Sequence, residues 1–309
     1  MSGSMYRSIC VPLDGSPFAE QALPLALEIA RGAGAILQVA LVHQPVPALA
    51  TTMAVPEIEA QLEQEARARE QVYLSGIVEK MRRSANVPVT ATLLDGAVTE
   101  ALQLHMETSG TDLVVVTTHG RGPMSRFWLG SVADHLMRTL HLPVLLVRPA
   151  AQAAPPAALR RILLALDGST FGEQAVAATT MLGRPFNAEY ALMMVVEPPL
   201  PLVDPSGLMV MPTSAAAVKE LKTAATAYLE GVAVRLRKDG LKVTTHQVDA
   251  ATAAGAIIAQ ADELKVDLIA LASHGAGGFE RLVVGSVADK VIRGSTHPTL
   301  VVRPPKSAH

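Results

Sequence analysis

The chain repeats itself. The stretch HGRGPMSRFWLGSVAD at 119–134 returns as HGAGGFERLVVGSVAD at 274–289, LDGSPFAEQA at 13–22 as LDGSTFGEQA at 166–175, and PVLLVRP at 143–149 as PTLVVRP at 298–304. The offset is 153 residues between Asp14 and Asp167 and 155 between Gly120 and Gly275, so the second copy has gained two residues in between, most simply in the loop after its second strand. Copies this long are not solenoid units; each has the size of an independent domain with its own core. The sequence therefore predicts two domains, 5–149 and 160–305, joined by a linker at 150–159 whose Ala and Pro content suits a short, semi-stiff connector.

Within the first copy, apolar, β-rich runs at 7–13, 35–42, 87–94, 112–118 and 143–148 alternate with helical patterns near 17–32, 57–84, 97–109 and 130–140. That alternation predicts an α/β fold, with a doubly wound five-stranded parallel sheet in each copy and right-handed crossovers. The strands are continuously apolar, as strands covered on both faces must be. Ile58, Leu62, Ala66, Tyr73, Ile77 and Met81 recur at helical spacing, matched by Leu221, Ala225, Tyr228, Val232 and Leu236, and both stripes are expected in the core. In open sheets of this kind ligands bind outside the carboxyl ends of the strands, where successive crossovers leave to opposite faces. Asp14 and Asp167 end the first strand of each copy, Gly120 and Gly275 the fourth. If those strands are neighbours, the two motifs share one crevice.

The loop motif has the chemistry of a phosphate cradle. A glycine after an apolar strand is followed by nine residues and then Gly-Ser opening an amphipathic helix, Gly130–Ser131 and Gly285–Ser286. Backbone N–H groups, a hydroxyl and the positive end of a helix dipole converge there. Ser131 and Ser286 equally suit ordinary N-caps. Arg121 and Arg126 add charge-assisted donors in the first copy. Their counterparts are Ala276 and Arg281, with Glu280 for Ser125 and Ala251 for Gly96, so the second pocket is expected to be less cationic and to bind more weakly. The carboxylates of Asp14 and Asp167 suit ribose hydroxyls or an adenine amine; a turn or helix-entry role is the plain alternative. Ser16 is expected to cap the following helix and leave the Asp14 carboxylate free.

Charge and composition exclude several function classes. With 26 Lys and Arg against 28 Asp and Glu, the net charge of −2 gives no global attraction to nucleic acid or to an anionic membrane. Cys10, within SICVPL, reads as a buried strand residue. There is no basic leader with an apolar run behind it and no apolar stretch near the roughly 18 residues a span needs, so a cytoplasmic protein is expected. Among nine histidines only His119 and His274 repeat in register, without the Cys, His or carboxylate company of a metal site. No nucleophile elbow, no Walker GKS or GKT ending and no catalytic base can be named, so the chain is expected not to be an enzyme, any ATP hydrolysis being slow. The long apolar loops at 43–56 and 196–212 suit either lids or covers over the sheet edge.

On these motifs the chain resembles, over nearly all its length, a tandem universal stress protein of the ATP-binding type. Nucleotide-binding members of that family carry Gly, two residues, Gly, nine residues, then Gly followed by Ser or Thr. The second and third glycines and the serine stand here twice, while Thr117 and Ala272 replace the first glycine. The resemblance implies the adenine nucleotide alpha hydrolase-like fold, a pseudo-two-fold tandem, contact of Asp14 and Asp167 with adenosine, and adenine recognition by the backbone at Val42 and Val195. Together with the loop, the candidate cofactor-binding set is Pro12, Asp14, Val42, Gly120, Arg121, Gly122, Gly130, Ser131 and Val132 in the first copy. In the second it is Ala165, Asp167, Val195, Gly275, Gly277, Gly285, Ser286 and Val287. ATP is the implied ligand, with Mg held through its phosphates. The implied role is a cytoplasmic stress-response sensor or signalling module. The alternatives are an interaction protein of the same fold that no longer binds nucleotide, or a slow ATPase. The final strands are expected to pair edge to edge, hiding apolar edges, and a homodimer is a further expectation.

Overall fold

Runs of Val, Ile and Leu flanked by glycine and proline become short strands buried on both faces, and the amphipathic segments between them become the covering helices. A computed structural model describes residues 5–45, 56–118, 129–149, 158–197, 215–273 and 284–303. The chain divides into two compact units, Met1–Ala157 and Ala158–His309. The first runs β1 (Ser8–Leu13), α1 (Leu23–Ala33), β2 (Ile36–Val42), α2 (Pro56–Ser84), β3 (Val89–Leu94), α3 (Val98–Thr108), β4 (Leu113–Thr117), α4 (Ser131–Thr139) and β5 (Val144–Val147). The second runs β6 (Arg161–Ala165), α5 (Thr170–Gly183), β7 (Glu189–Val196), α6 (Ala215–Lys238), β8 (Lys242–Asp249), α7 (Ala253–Leu264), β9 (Leu268–Ala272), α8 (Ser286–Gly294) and β10 (Thr299–Val302).

Each unit is a parallel five-stranded sheet, in the order β3-β2-β1-β4-β5 for the first and β8-β7-β6-β9-β10 for the second. The first and fourth strands of each copy are therefore neighbours, Ile9 opposite Leu113 and Ile162 opposite Leu268. The chain moves outward through β2 and β3 and then returns past β1 to β4. With right-handed crossovers the helices before and after that return lie on opposite faces, and a crevice opens between β1 and β4. β1, β4 and β5 are buried at every residue.

The copies differ where a single residue changes the local physics. A helix is expected from about residue 17, but a 3-10 turn occupies Ala19–Ala22 and α1 begins at Leu23, with Pro24 in its first turn. Proline has no N–H to give to a carbonyl four residues back, and its ring clashes with that carbonyl, so the α-helix cannot extend through it toward the N-terminus. The second copy has Ala177 in that place, and α5 runs unbroken from Thr170.

The expected helix stripes are core only in part. Ile77 and Met81 are buried, joined by Leu74, and so are Ala225, Leu229, Val232 and Leu236, but Ile58 is 51% and Leu221 50% exposed. The 29 residues of α2 span about 43 Å against about 20 Å for a six-residue strand, so the N-terminal part of the helix outruns the sheet it covers. Elsewhere a volume exchange keeps the core filled. Ala30 and Leu37 of the first unit correspond to Gly183 and Tyr190 of the second, all buried. A Cβ on Gly183 would stand 2.8 Å from Ile162 Cδ1 and would also collide with the Tyr190 hydroxyl, which donates to the Thr180 carbonyl at 3.2 Å.

Candidate functional site

The carboxyl edge of each sheet carries the same groups in the same order. Leu13 pairs with Leu41, so one step further Asp14 stands beside Val42; Cys10 pairs with Val114, which by the same count puts Thr118 on its other side. Thr117 pairs with Val147, which brings Arg148 next to Thr118. From β2 to β5 the edge therefore reads Val42, Asp14, Thr118, Arg148. In the second unit the pairings Ala165 with Met193, Leu164 with Ala270, and Ala272 with Val302 give Val195, Asp167, Ser273, Arg303. Neighbouring positions lie about 4.8 Å apart. Pro12 and Ala165 lie two residues before the aspartates, at or next to the strand ends.

The aspartate turns are built by glycine. Gly15 and Gly168 have φ of 77° and 80°, the left-handed region that a side chain disfavours, and this folds the next residue back. Asp14 Oδ1 accepts from the Ser16 N–H at 2.9 Å, while Ser16 Oγ accepts from the Ala19 N–H at 3.2 Å. Ser16 does cap the following turn, but the expectation that it leaves the carboxylate free fails, because the Gly15 turn brings the Ser16 amide onto Oδ1. In the second unit Asp167 Oδ1 accepts from both the amide and the hydroxyl of Ser169, at 3.0 and 2.6 Å, and Ser169 caps α5 by accepting from the Gly172 N–H at 3.0 Å. A Cβ on Gly172 would stand 2.6 Å from Asp167 Oδ1, so this aspartate needs a glycine opposite it.

The helix after the loop is aimed at the same edge. The Gly130 N–H donates to the Thr118 carbonyl at 2.6 Å and the Gly285 N–H to the Ser273 carbonyl at 2.7 Å, which closes each loop onto its own strand end. Gly130 and Gly285 are themselves the N-caps, at φ −60° with no side-chain cap bond. Ser131 and Ser286 are thus the first helical residues, exposed, and not the caps that their position also suited. The first-turn N–H groups of Ser131, Val132 and Ala133, and of Ser286, Val287 and Ala288, have no acceptor within their helices, and the dipole's positive end lies there. Gly120, Arg121, Gly122, Gly275 and Gly277, with His119, His274, Arg126 and Arg281, lie outside the described residues.

Two groups at this edge were not singled out from the sequence. Arg148 and Arg303 are half-buried, and burial lowers the pKa of both guanidinium groups. Arg303 Nη1 is buried with no hydrogen-bond partner among the described residues. The repeated VRP was the available signal. His43, next after Val42, is 1% exposed, with Nδ1 at 2.6 Å from Glu70 Oε2 and Nε2 at 2.5 Å from Glu63 Oε1. Its counterpart is Val196, so no repeat drew attention to it.

Cys10 lies wholly buried in β1, and burial pushes its thiol up to about 12, which leaves it no thiolate chemistry at neutral pH. Among the described residues no three His, Cys, Asp or Glu side chains group as metal ligands, and no helix is long and apolar enough to cross a membrane.

The Universal stress protein family matches this sequence twice, at residues 5–148 and 158–303. The chain belongs to the universal stress protein family. A universal stress protein of Methanocaldococcus jannaschii is 30% identical over 151 residues, which is 48% of this chain and 84% of that protein. One from Thermus aquaticus is 31% identical over 144 residues, 47% of this chain and all of that protein. The crystal structure of a universal stress protein from Archaeoglobus fulgidus covers 98% of both chains at a TM-score of 0.68 and 19% identity, a likeness of fold. Two universal stress domains thus account for the repeat, and the edge described above belongs to both.

Proposed function

We propose that each half binds ATP along the carboxyl edge of its sheet, and that the protein is a cytoplasmic stress-response sensor or signalling module, not an enzyme. The observation that carries this reading is the polarity of the edge, present twice. Backbone groups at Val42 or Val195 and a carboxylate at Asp14 or Asp167 suit a base and its ribose, while the α4 or α8 N-terminus, Ser131 or Ser286 and the neighbouring arginine suit phosphate. One Asp14 oxygen is engaged by the Ser16 amide, but a carboxylate has about four acceptor positions and can serve a ribose as well. Mg would come with the phosphates and water.

Cradling holds phosphates without activating water, so turnover is expected well below about 1 per second. Steady phosphate release at or above that rate, lost with Asp14→Ala or Ser131→Ala, would make the protein an ATPase. The binding test is mass spectrometry of the supernatant released by heating the purified protein, followed by thermal unfolding with ATP and Mg. A ligand of the native state adds about 2.7 kcal/mol at 100 times its dissociation constant. Absence of both co-purified nucleotide and any shift at millimolar ATP would favour the second reading, an interaction protein that has given up nucleotide. Thr117 and Ala272, where the family motif has its first glycine, favour that reading.

A further inference from the structure

We propose that His43 is a protonation-dependent latch between α2 and the base-reading end of the first site, so that the first half, and not the second, loses nucleotide affinity when the ring is neutral. The coupling to nucleotide rests on the binding function proposed above; the latch itself does not.

The ring sits between two carboxylates, Glu70 Oε2 at 2.6 Å from Nδ1 and Glu63 Oε1 at 2.5 Å from Nε2. An ionised carboxylate only accepts, and a neutral imidazole has one N–H, so only the imidazolium satisfies both contacts. The ring is 1% exposed whereas Glu63 and Glu70 are 34% and 25% exposed, so a carboxylate that loses its donor turns from the ring to water. Glu63 and Glu70 are two turns apart on one face of α2, so a single ring fastens about 10 Å of that helix. The other charged groups of the cluster, among the described residues, are Arg67 and Asp95. Arg67 lies between the two glutamates, 3.6 Å from Glu63 and paired with Asp95 just after β3. The cluster carries three carboxylates and two cations; removing the ring proton leaves three carboxylates and one cation, with a lone pair facing a carboxylate. The hydrogen bond to Glu70, helped by that to Glu63, raises the ring's pKa above the ordinary histidine value against the lowering effect of burial. The latch is therefore closed below the ring's raised pKa and opens as the pH rises through it.

His43 is placed to pass this on. Its N–H donates to the Leu94 carbonyl at 2.8 Å, and it directly follows Val42, whose backbone faces the proposed base. Among the described residues the second half has no such device. Val196 replaces His43, and the offset of 155 residues that pairs Tyr73 with Tyr228 puts Val218 and Ala225 where the first half has Glu63 and Glu70. The Arg67 to Asp95 tie persists there as Lys222 to Asp249.

The test uses the full chain with one site silenced at a time, Gly285→Asp to read the first and Gly130→Asp to read the second. ATP affinity is measured by calorimetry from pH 6 to pH 9 at constant ionic strength, and nitrogen-15 NMR follows the His43 ring. First-site affinity should fall about tenfold as the ring titrates, the loss of one hydrogen bond to a charged group. The second site, which experiences the same titration of ATP itself, should not show that step. His43→Val should remove the step, and Glu70→Gln should move its midpoint to lower pH, a displacement that a purely packing role would not produce. A ring titrating at or below about 6.5, or a flat first-site affinity across its titration, overturns the proposal. If neither site binds ATP at any pH the binding function has failed, and the latch is judged on α2 by itself. Amide exchange between Glu63 and Glu70, corrected for intrinsic rates, must then speed up as the ring deprotonates in the native chain and not in His43→Val. Unchanged protection overturns the latch.

Discussion

The two halves share a fold and a site edge, and both long crossover helices rest on buried apolar residues, Leu74, Ile77 and Met81 in α2, but they differ in the charged clamp that helps hold them. In the first, α2 is tied by charge: His43 between Glu63 and Glu70, Arg67 to Asp95, and the Tyr73 hydroxyl donating to Glu20 at 3.1 Å with Lys80 near the same carboxylate at 3.8 Å. In the second, the Arg67 to Asp95 tie persists as Lys222 to Asp249, but the histidine clamp is missing: α6 rests on Ala225, Leu229 and Val232, all buried, and its tyrosine stands apart. Tyr228 Oη is buried with no partner among the described residues, burial raises its pKa to about 12, and the equivalent Glu173 is taken by Arg235 at 3.1 Å. An ion cluster around a buried ring responds to pH, and apolar contact does not. The strand ends are alike in the two halves, and the clamping chemistry is not.

The largest effect that would break the comparison is at the loop. Gly130→Asp should lower ATP affinity of the first half by about a hundredfold or more, since a carboxylate at the helix start repels phosphate although it does not harm the helix. Gly285→Asp should do the same to the second, and calorimetric stoichiometry should drop from two to one in each. A folded variant that keeps both sites removes that loop from the function.

Next in size is the core exchange. Gly183→Ala should cost about 1–3 kcal/mol by overpacking against Ile162 and Tyr190. Adding Tyr190→Leu, which reproduces Ala30 and Leu37, should restore most of the loss in the denaturant midpoint. If the single substitution is neutral, the two cores are not related by compensation.

Arg303→Gln should weaken ATP binding at the second site about tenfold, and Arg148→Gln at the first by a similar factor, each with a shallower dependence on salt. Unchanged affinity with unchanged salt dependence would return both arginines to a structural role. The smallest difference concerns the tyrosines. Tyr73→Phe should cost about 1 kcal/mol through the lost bond to Glu20, whereas Tyr228→Phe should be neutral or stabilising by about 1 kcal/mol, because it removes an unsatisfied buried hydroxyl. Equal losses in thermal unfolding would mean that Tyr228 has a partner after all.

Much of this is legible in the chain alone. The repeat, the alternation of strands and helices, the parallel sheets and the burial of Cys10 all follow from local patterns, since an apolar run of strand length has few other places to go. The strand order could only be posed as a condition. Ile58 and Leu221 fall outside the core because periodicity records which face of a helix is apolar and not how far the sheet beneath it extends. Pro24 carries a readable signal of its own, one that runs against the general helical pattern around it.

What the sequence by itself determined was the existence of two α/β domains, with an aspartate and a glycine-serine helix start recurring in each, because these depend on near neighbours and on the period of the chain. Only the tertiary structure decided that Val42, Asp14, Thr118 and Arg148 stand in one row, that the Ser16 amide occupies the Asp14 carboxylate, and that His43 meets Glu63 and Glu70. Apart from the local Asp14–Ser16 turn, such contacts join residues 20 or more positions apart through strand register and helix phase. Neither is written in any single stretch of chain: a shift of one residue in register would place a different side chain at each point of the edge.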